Sequence, residues 1–532
     1  MLLNNNVVKE PSIGEFYAGK NIFITGGTGF IGTVLIEALL SATPKIGKIY
    51  LLVRDKYGSD TNERIKRLLS KQIFESHSKE TLEKIVPVVG VMDQIDLGIS
   101  VETLKDLRKN VHIIFHSAAT IKFNSHVRVA IRTNLTGTLR VIEFAKSLTN
   151  LVSFVHLSTA FCNSNYSGLL LEKVYPPVQD PYDMLKMAED DNAWERIKTR
   201  ADWKFLTKDH PNTYTFTKQM AENLVMKEMV GYPAAIVRPS IVYGTYEYPV
   251  QGWVGNASSG HLGFFAGYYK GLFRTIYGNS QSKIDIVPVD YVINASIALG
   301  WYVGTRKLDI PEIIHSTSGE QNPLSLEQFT NILNDKVSVN PSLKMVWKPS
   351  AKIRNGLRHT VFFYIFHIFP TMLWYWPEKI LSLGIRHHTS LEFMRVFNNG
   401  TKAFDYFLNK NFQYSTKNAL RIMSTMHPQD VKRYCFDASD CDWSEFLQRN
   451  FLGVRRFYFR EAEETTFKHR FVYFLFQVLH VIGLLTMFWF SYKLFRGIDF
   501  LFALSLPSSV VFSLGLCLWC FLILGNIRLY SK

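Results

Sequence analysis

The chain has 532 residues, a formal net charge of +15 and 47% hydrophobic residues. This length exceeds what one hydrophobic core usually organises, so we expect two or three structural units. The positive charge suits nucleic acid, anionic lipid or a phosphorylated ligand. Because the Lys and Arg residues form no dense block, nucleic acid is the least favoured of these partners. Five scattered cysteines indicate a reducing compartment and argue against a disulfide framework.

Short apolar runs alternate with amphipathic segments through the first half of the chain. The runs predict strands at 21–25, 48–54, 85–92, 111–116, 152–158 and 234–239. The segments between them predict helices at 33–40, 63–69, 134–148 and 217–229. Repeated β-α-β units form parallel sheets that are covered by helices on both faces. We therefore expect an α/β fold with a Rossmann-type, doubly wound parallel sheet.

A glycine-rich turn follows the first predicted strand. The segment 25–32 reads T-G-G-T-G-F-I-G, which contains a G-x-x-G-x-x-G pattern. The first glycine permits the tight turn, the second lets the backbone approach a pyrophosphate, and the third lets the helix pack on the strand. The N-terminus of the helix then stabilises the phosphates. We predict dinucleotide binding by Thr25, Gly26, Thr28, Gly29, Phe30, Ile31 and Gly32.

The end of the second strand indicates which dinucleotide binds. Arg54 occupies the place where an Asp or Glu would accept from the ribose 2′-hydroxyl of NADH, and Arg64 is close in sequence. A guanidinium matches a 2′-phosphate, so the sequence favours NADPH; a solvated arginine is the alternative. Further groove residues are predicted after later strands and at the next helix: Asp93 for the adenine, then Ala118, Ala119, Asn134 and Pro239.

A second motif carries catalytic potential. Tyr214 and Lys218 form Y-x-x-x-K, which places both side chains on one face of a helix. In hydride transfer, the ammonium is expected to lower the pKa of the phenol, which then protonates the oxygen that gains negative charge. Ser158 or Thr159, at the end of an earlier strand, offers a hydroxyl to the same oxygen. We predict that these residues, with Lys218 also binding the cofactor ribose, form a catalytic site without a metal.

The strand–helix alternation ends near Leu326. We expect the dinucleotide-binding domain to span 1–325, a linker to span 326–352, and a mostly helical domain to span 353–455. Lys344, Lys348 and Lys352 favour a solvated linker. The aromatic segment 359–376 is expected to pack within the helical domain or to lie in a membrane interface.

The end of the chain is strongly apolar. There is no Lys, Arg, Asp or Glu between Arg470 and Lys493, nor between Asp499 and Arg528. Each run exceeds the roughly 20 residues that a spanning helix needs. The region 470–527 therefore predicts one or two transmembrane helices, with a buried pair of core helices as the alternative. The N-terminus lacks the apolar core of a signal peptide, so the catalytic domain is expected to be cytosolic.

Together the motifs resemble those of extended short-chain dehydrogenases/reductases. Within that group, the segments 15–32, 51–54, 156–163 and 236–242 resemble fatty acyl-CoA reductases, especially insect ones. The segment from about 353 to 453 resembles the C-terminal domain of that family, in which a hydrophobic tail is also typical. The resemblance implies that two NADPH reduce a long-chain fatty acyl-CoA to a primary alcohol through an aldehyde. It further implies acyl-CoA and a lipid bilayer as partners.

Two other functions stay open. One is a different membrane-bound extended dehydrogenase, of the sterol type, and the other is a non-catalytic scaffold that binds NADPH. We expect the endoplasmic reticulum membrane, with peroxisome or lipid droplet as alternatives. The sequence fixes neither the acyl chain length nor the oligomeric state, and it leaves open whether the aldehyde is released.

Overall fold

The computed structural model of the chain describes residues 10–54, 60–123, 125–195, 200–255, 260–368 and 404–501. The strands are β1 (Ile22–Thr25), β2 (Ile49–Val53), β3 (Ile85–Val89), β4 (Ile113–His116), β5 (Ser153–Leu157), β6 (Leu169–Leu170), β7 (Ala234–Pro239), β8 (Ile241–Tyr243), β9 (Thr275–Tyr277), β10 (Lys283–Ile284), β11 (Ile286–Pro288), β12 (Glu312–Ser316), β13 (Leu324–Ser325), β14 (Lys352–Arg354) and β15 (Gln413–Tyr414). Seven of them form one sheet in the order β12-β7-β5-β4-β1-β2-β3, with every neighbouring pair parallel. This confirms the predicted doubly wound sheet.

Besides these strands, the described residues form nineteen α-helices. They are α1 (Ile13–Tyr17), α2 (Phe30–Ala42), α3 (Thr61–Leu69), α4 (Lys79–Leu82), α5 (Val101–Asn110), α6 (Val127–Ile131), α7 (Gly137–Lys146), α8 (Pro181–Glu189), α9 (Asp191–Glu195), α10 (Arg200–Thr207), α11 (Thr213–Glu228), α12 (Gly260–Tyr269), α13 (Val289–Thr305), α14 (Leu326–Val339), α15 (Gly356–Phe363), α16 (Lys417–Ser424), α17 (Pro428–Arg433), α18 (Trp443–Gly453) and α19 (Phe467–Leu501). Along β1, Ile22 and Ile24 join one hydrophobic core while Phe23 joins the other. Burial on both faces explains why the strands are apolar throughout.

The order of the strands creates a crevice at the carboxyl ends of β1 and β4. From β1 the chain adds strands in one direction, and from β4 it adds them in the other. Ligands of open parallel sheets bind at such a reversal point. In register, Thr25 of β1 lies beside His116 of β4, which lies beside His156 of β5. The three side chains form the floor of the crevice.

The segment 326–352, predicted to be a linker, contains regular structure at both of its ends. Helix α14 occupies its first half and begins with a capping box between Ser325 and Gln328. The helix buries apolar side chains at helical spacing: Leu326, Phe329, Leu333 and Val337. Lys352 lies in β14, where it pairs with Thr275 of β9, and burial lowers its pKa to about 8. The lysines of this segment favoured a linker, although its apolar residues have the spacing of a helix.

The described C-terminal segments pack against the part of the chain that forms the seven-stranded sheet. β15 pairs with β6 in parallel. The amide of Ile13 donates to the carboxylate of Asp430 over 2.9 Å, and the hydroxyl of Tyr434 donates to the carbonyl of Ala42 over 3.3 Å. The C-terminal segments therefore contact the first half of the chain at several separate places. Most of the predicted aromatic segment 359–376 lies outside the described residues, which here end at 368.

The last described helix, α19, is long and apolar. Its segment Phe467–Thr486 is long and apolar enough to cross a membrane, and 6% of the most apolar 18-residue stretch is buried inside the protein. By length and composition, it supports one predicted span. The second predicted run falls mainly in residues 502–532, outside the described residues.

Candidate active site

The turn between β1 and α2 leaves no room for side chains at its glycines. Gly26 has a φ of +78°, in the left-handed region that favours glycine. A Cβ on Gly32 would lie 2.3 Å from the carbonyl oxygen of Gly26. Gly29 is the N-cap residue of α2, and its amide donates to that same oxygen over 2.9 Å. The turn thus presents backbone N–H groups and a helix N-terminus, which fit the pyrophosphate of a dinucleotide.

A chain of hydrogen bonds fixes the floor of the crevice. The Thr138 hydroxyl donates its one proton to the carbonyl of Asn134, so it accepts from Nε2 of His116 over 3.0 Å. Nδ1 of His116 therefore accepts from the Thr25 hydroxyl over 2.7 Å. Thr25 in turn accepts from the amide of Ala118 over 3.2 Å. The glycine turn and the loop after β4 are thereby held together.

Asn134 holds the same loop against α11. Its side-chain oxygen accepts from the amide of Thr120 over 2.8 Å. Its side-chain nitrogen donates to the carbonyl of Thr120 and to the hydroxyl of Thr217. The predicted groove residue Ala119 lies in this loop and is half-buried. Asn134 is itself buried, so these contacts show it as a support of the groove.

The residues predicted to recognise a 2′-phosphate lie together beside the turn. Nη2 of Arg64 donates to the hydroxyl of Thr28 over 3.1 Å, and Nη1 donates to the carbonyl of Arg54. The Arg54 side chain is exposed at the end of β2. Asp93, predicted to bind adenine, forms an ion pair with Arg132 at 3.4 Å. A basic surface therefore borders the glycine turn.

The side chains of Phe30 and Ile31 pack inside the protein. The ring of Phe30 stacks on Trp253 with centroids 5.4 Å apart, and Ile31 contacts the hydrophobic core. In the first turn of a helix the backbone N–H groups have no partner within the helix. Any contact of these two residues with a cofactor phosphate would therefore use their N–H groups.

The structure brings together Tyr214, Lys218 and Thr159. Asn212 caps α11 by accepting from the amide of Thr215 over 2.9 Å, which puts Tyr214 and Lys218 on successive turns. Thr159 follows β5, and its hydroxyl lies within hydrogen-bonding reach of the Tyr214 phenol. The Thr159 hydroxyl also lies 3.5 Å from the carbonyl oxygen of Pro239.

Ser158 does not share this position. Its side chain is buried and lies within hydrogen-bonding reach of the Cys162 thiol. Its backbone amide donates to the carbonyl of Val237 over 2.8 Å, as part of the sheet. Of the two hydroxyls that the sequence left open, the geometry favours Thr159.

The electrostatics differ from the expectation for Tyr214. Burial raises the pKa of the Tyr214 phenol, and the hydrogen bond from Thr159 offsets only part of this rise. The Nζ of Lys218 donates to the carbonyl of Leu157 over 2.6 Å. Burial lowers the pKa of Lys218 to about 8, against the opposing charge of Glu222. The prediction that Lys218 lowers the pKa of Tyr214 is therefore wrong in this geometry, and the phenol is a fully protonated acid at neutral pH.

The two histidines of the floor stay neutral. Burial and the neighbouring Lys218 lower the pKa of His116 to about 3 and that of His156 well below its usual value. Their rings lie 5.0 Å apart. The floor of the crevice therefore carries no charge at neutral pH.

A buried ion pair supports the catalytic helix, and sequence reasoning missed it. Arg238 and Glu222 pair at 2.6 Å with side chains 0% and 1% exposed. The Cys162 thiol donates to Glu222 over 3.3 Å, and burial raises the pKa of that thiol well above its usual value. The signal was available, because Glu222 lies four residues after Lys218 on the same helix face. Cys162 is thus a structural thiol, not a nucleophile.

The pair extends to the C-terminal part of the chain through His315. Because arginine only donates, Nε2 of His315 accepts from Arg238 at 3.3 Å. Nδ1 of His315 then donates to the carbonyl of Ser415 over 2.8 Å. The helix that carries Tyr214 is therefore connected to the segment after β15.

Within the described ranges, no group of three His, Cys, Asp or Glu side chains could hold a metal ion.

Five phenylalanines form a cluster of ring contacts that begins next to Tyr214. We call this cluster the aromatic wall: Phe123, Phe161, Phe404, Phe407 and Phe412. The ring of Phe123 stacks on Tyr214 at 6.1 Å and meets Phe404 and Phe407 at 5.7 and 5.8 Å. Phe161 lies 5.1 Å from Phe407 and 5.6 Å from Phe412. An apolar surface thus begins next to the catalytic phenol.

Comparison with protein families gives two matches. A model of an NAD-binding domain, described as male sterility protein, matches residues 24–296, and a second model with the same description matches residues 359–461. Among solved structures, the terminal reductase domain of the myxalamid biosynthetic pathway covers 84% of this chain and 93% of that chain, with a TM-score of 0.55 and 18% identity. The reductase domain of a nonribosomal peptide synthetase from Mycobacterium tuberculosis has the same coverage, a TM-score of 0.51 and 17% identity. These structures share the fold.

Relatives along the whole chain identify the family. The Drosophila melanogaster protein CG8303, provisionally named a fatty acyl-CoA reductase, is 56% identical over 512 residues, which cover 96% of this chain and 93% of that protein. Mus musculus fatty acyl-CoA reductase 2 is 33% identical over 84% of this chain and 86% of its own. Homo sapiens fatty acyl-CoA reductase 1 is 32% identical over 85% and 87%. The NAD-binding match supports a nicotinamide cofactor. The chain belongs to the fatty acyl-CoA reductase family of oxidoreductases.

Proposed function

We propose that this chain reduces a long-chain fatty acyl-CoA to the primary alcohol in two steps, each using one NADPH. The observation that carries the proposal is the Thr159 hydroxyl within hydrogen-bonding reach of a protonated Tyr214 phenol, one helical turn before Lys218. This arrangement suits the protonation of a carbonyl oxygen during hydride transfer. Membership of the family supplies the substrate class.

The residues have distinct roles in the first step. NADPH, when bound, supplies hydride to the carbonyl carbon of the thioester. Tyr214 and Thr159 donate hydrogen bonds to the carbonyl oxygen, which gains negative charge. When the C–O double bond forms again, the C–S bond breaks and CoA leaves as a thiol after protonation, so an aldehyde remains.

The same side chains serve the second step. The aldehyde oxygen takes the place of the thioester oxygen, and Tyr214 protonates it as the second hydride arrives. Lys218 then restores the phenol, because its ammonium is a proton source with a pKa of about 8 on the next turn of α11. Overall, one acyl-CoA, two NADPH and two protons give one alcohol, free CoA and two NADP⁺.

We propose NADPH as the cofactor because of the basic surface beside the turn. Arg64 reaches both Thr28 and the end of β2, where Arg54 follows. A guanidinium forms bidentate, charge-assisted hydrogen bonds with a phosphate, which favours a cofactor with a 2′-phosphate.

We propose that the acyl chain lies along the aromatic wall. The wall begins at Phe123, directly against Tyr214, and continues into the C-terminal part of the chain. With the thioester carbonyl at Tyr214, the alkyl chain of the substrate would contact these rings. Burial of this apolar surface would stabilise the bound substrate.

We propose that α19 anchors the protein in a membrane, with the catalytic domain on the cytosolic side and the endoplasmic reticulum as the expected compartment. Apolar side chains along it are exposed, including Phe471, Phe474 and Ile482. Water disfavours such a surface and a hydrocarbon layer does not. A chain that ends at Thr466 should leave the membrane fraction, whereas the full chain should resist extraction at alkaline pH.

The reaction is tested by expression in a host that makes no long-chain alcohols. Lipids are profiled by mass spectrometry for the wild type, for a Tyr214→Phe, Lys218→Ala double variant, and for Tyr232→Phe as a matched control outside the site. New primary alcohols in the wild type and in the control, and none in the double variant, would support the proposal.

The stoichiometry separates the proposal from the alternatives. Purified protein should oxidise two NADPH for each alcohol formed. One NADPH per product, with aldehyde accumulating or a sterol converted, would indicate a single-step dehydrogenase. NADPH binding without any turnover would indicate a non-catalytic scaffold.

A further inference from the structure

The outer face of α15 is apolar. Leu357, Val361 and Tyr364, which we call the apolar stripe, follow one another at helical spacing and are 77%, 39% and 59% exposed. The stripe runs from α15 into the wider helical turn that follows it. On the inner face, Nε2 of His367 accepts from the amide of Arg274 over 3.2 Å. The helix is therefore held with apolar side chains turned to solvent, the reverse of an ordinary surface helix.

Positive charge borders the apolar stripe. Residues 340–368 contain no Asp or Glu, but they contain Lys344, Lys348, Lys352, Arg354 and Arg358. Burial and the charge of Arg354 lower the pKa of Lys352 to about 8, and burial and the charge of Arg358 lower that of Arg354 to about 10. These three cations therefore lie close enough to repel one another. Neither Lys352 nor Arg354 forms an ion pair with a carboxylate of the described residues.

The basic border is connected to α19, the proposed membrane anchor. Nη1 of Arg354 donates to the carbonyl of Arg274 over 3.2 Å, and the Arg274 guanidinium lies 5.5 Å from the ring centroid of Trp347. The Trp347 ring lies 6.5 Å from that of Phe476, and its N–H donates to Nδ1 of His480 over 3.4 Å. Phe476 and His480 belong to α19. A continuous series of contacts thus joins the two elements.

We infer that the apolar stripe and its basic border form a second membrane contact, which docks the body of the protein on a bilayer containing anionic phospholipids. The inference rests on the proposed anchoring by α19 and goes beyond it. In interfacial helices, apolar side chains enter the boundary between headgroups and acyl chains, while Lys and Arg attract the lipid phosphates. Because α19 keeps the protein at the bilayer, a shallow surface is enough to fix its orientation.

Docking in this orientation would bring the aromatic wall near the lipid. Burial and the charge of Arg354 lower the pKa of His359 in α15, and the carboxylate of Asp405 opposes them. The docking helix therefore lies near the segment that carries Phe404 and Phe407 of the wall. A long acyl chain favours the bilayer over water. A docked α15 would shorten the path of such a chain through water to the wall.

The test uses the full chain in vesicles. An environment-sensitive fluorescent amino acid replaces Tyr364, and lipids with brominated acyl chains quench it only if it enters the bilayer. One set of vesicles contains phosphatidylcholine alone, and the other also contains phosphatidylserine. Quenching should be strong with phosphatidylserine, weaker without it, and reduced at high salt, because salt screens the charges. Flotation on a density gradient shows separately whether the chain is anchored.

Two pairs of substitutions separate the parts of the surface. Lys352→Gln with Arg358→Gln should lower the ratio of docked to undocked protein by about tenfold on phosphatidylserine vesicles, since each basic residue adds to the attraction. Leu357→Ser with Val361→Ser should abolish quenching in both kinds of vesicle. The matched controls change exposed residues in and just before α5 and should leave quenching unchanged: Lys105→Gln with Lys109→Gln, and Ile95→Ser with Val101→Ser.

The other outcomes overturn the inference. Absence of quenching in a chain that floats with the vesicles would mean that water or another protein covers the stripe. Equal quenching with and without phosphatidylserine, unchanged by the Lys352 and Arg358 substitutions, would remove anionic lipid as the partner. Equal losses in the control pairs would assign the effect to the fold. If the chain does not float, the proposed anchor fails together with this inference, and NADPH oxidation in detergent then tests the proposed reduction separately.

Discussion

The two halves of the cleft are built in different ways. The cofactor half is a short stretch of backbone: the turn at 26–32, tied by hydrogen bonds to the ends of β1 and β4. The proposed acyl half is the aromatic wall, whose rings come from the loop after β4, from the segment after β5 and from residues 404–412. One half depends on backbone geometry and the other on side-chain packing.

The difference predicts how each half responds to change. A backbone turn that excludes even a Cβ has no room to adjust, because its neighbours are other backbone atoms. Packed rings can shift into a partly vacated space, at a cost that depends on how well they repack. Substitutions in the cofactor half should therefore weaken cofactor binding strongly. Substitutions in the wall should weaken substrate binding by smaller amounts. Tyr214, the proposed proton donor at the start of the wall, should show the largest effect.

Tyr214→Phe should lower kcat by about a thousandfold, because it removes the proton donor to the carbonyl oxygen. The apolar contact with Phe123 remains, so the Kd for NADPH and the thermal unfolding temperature should stay close to those of the wild type. Turnover is followed by NADPH oxidation with a long-chain acyl-CoA. Tyr232→Phe, outside the cleft, should keep full activity. A Tyr214→Phe variant with more than about a tenth of wild-type kcat would show that another group supplies the proton.

Gly32→Ala should weaken NADPH binding by about tenfold to a hundredfold. The added Cβ would meet the carbonyl oxygen of Gly26 at 2.3 Å and Cα of Gly27 at 2.7 Å, so the turn must open, and overpacking of this kind costs about 1–3 kcal/mol. Gly14→Ala is the matched control, since its Cβ would meet nothing within 4 Å. Binding of NADPH to Gly32→Ala with wild-type affinity would refute the rigidity of the cofactor half.

The cofactor half is the half that the sequence predicts well. Its residues are adjacent in the chain, and each glycine answers a local steric need, so spacing alone locates the turn. Strand β7 also begins and ends where the apolar run at 234–239 predicts. What the sequence missed there is the contact between the Lys71 ammonium and the Thr33 hydroxyl at 3.0 Å, because it depends on how the segment after α3 folds back onto α2.

Phe123→Ala should raise the KM for long-chain acyl-CoA by up to about tenfold, with kcat affected less. The ring contacts Tyr214 and two rings of the wall, and each aromatic pair contributes about 0.5–1.5 kcal/mol. The effect should fall as the acyl chain is shortened, because a short chain reaches fewer rings. Phe205→Ala, which changes an exposed phenylalanine of α10, should leave KM unchanged. Equal effects on long and short substrates would argue against an acyl path along the wall.

The acyl half could not be predicted residue by residue. The rings next to Tyr214 belong to residues 404–412 and to the loop that carries Phe123. These segments are distant in sequence and meet through tertiary contacts such as the β6–β15 pair. A composition shift along the chain identifies such a region, whereas the ring that faces the catalytic phenol is set by the fold. The pKa of Tyr214 was misjudged for the same reason, since burial depends on this packing.

The smallest predicted effect concerns the charge that supports Lys218. In the wild type, kcat/KM should fall above about pH 8, because Lys218 loses its proton there and can no longer restore the phenol. Glu222 raises the pKa of Lys218, so its removal should move this decline to lower pH, by up to about one pH unit. The Glu222→Gln change is combined with Arg238→Met, because a lone buried Arg238 charge would destabilise the fold by about 3–5 kcal/mol.

The pH at which kcat/KM declines, not the size of kcat/KM, distinguishes an electrostatic role of the ion pair from a structural one. A purely structural role for the ion pair would lower kcat/KM at every pH and leave the midpoint near pH 8. Glu228→Gln is the matched control, because this carboxylate ends the same helix and pairs with Lys146 at 2.5 Å. Its loss should leave the profile unchanged. A midpoint that moves with Glu222 and not with Glu228 would show that the catalytic helix carries its own counter-charge, independent of both halves of the cleft.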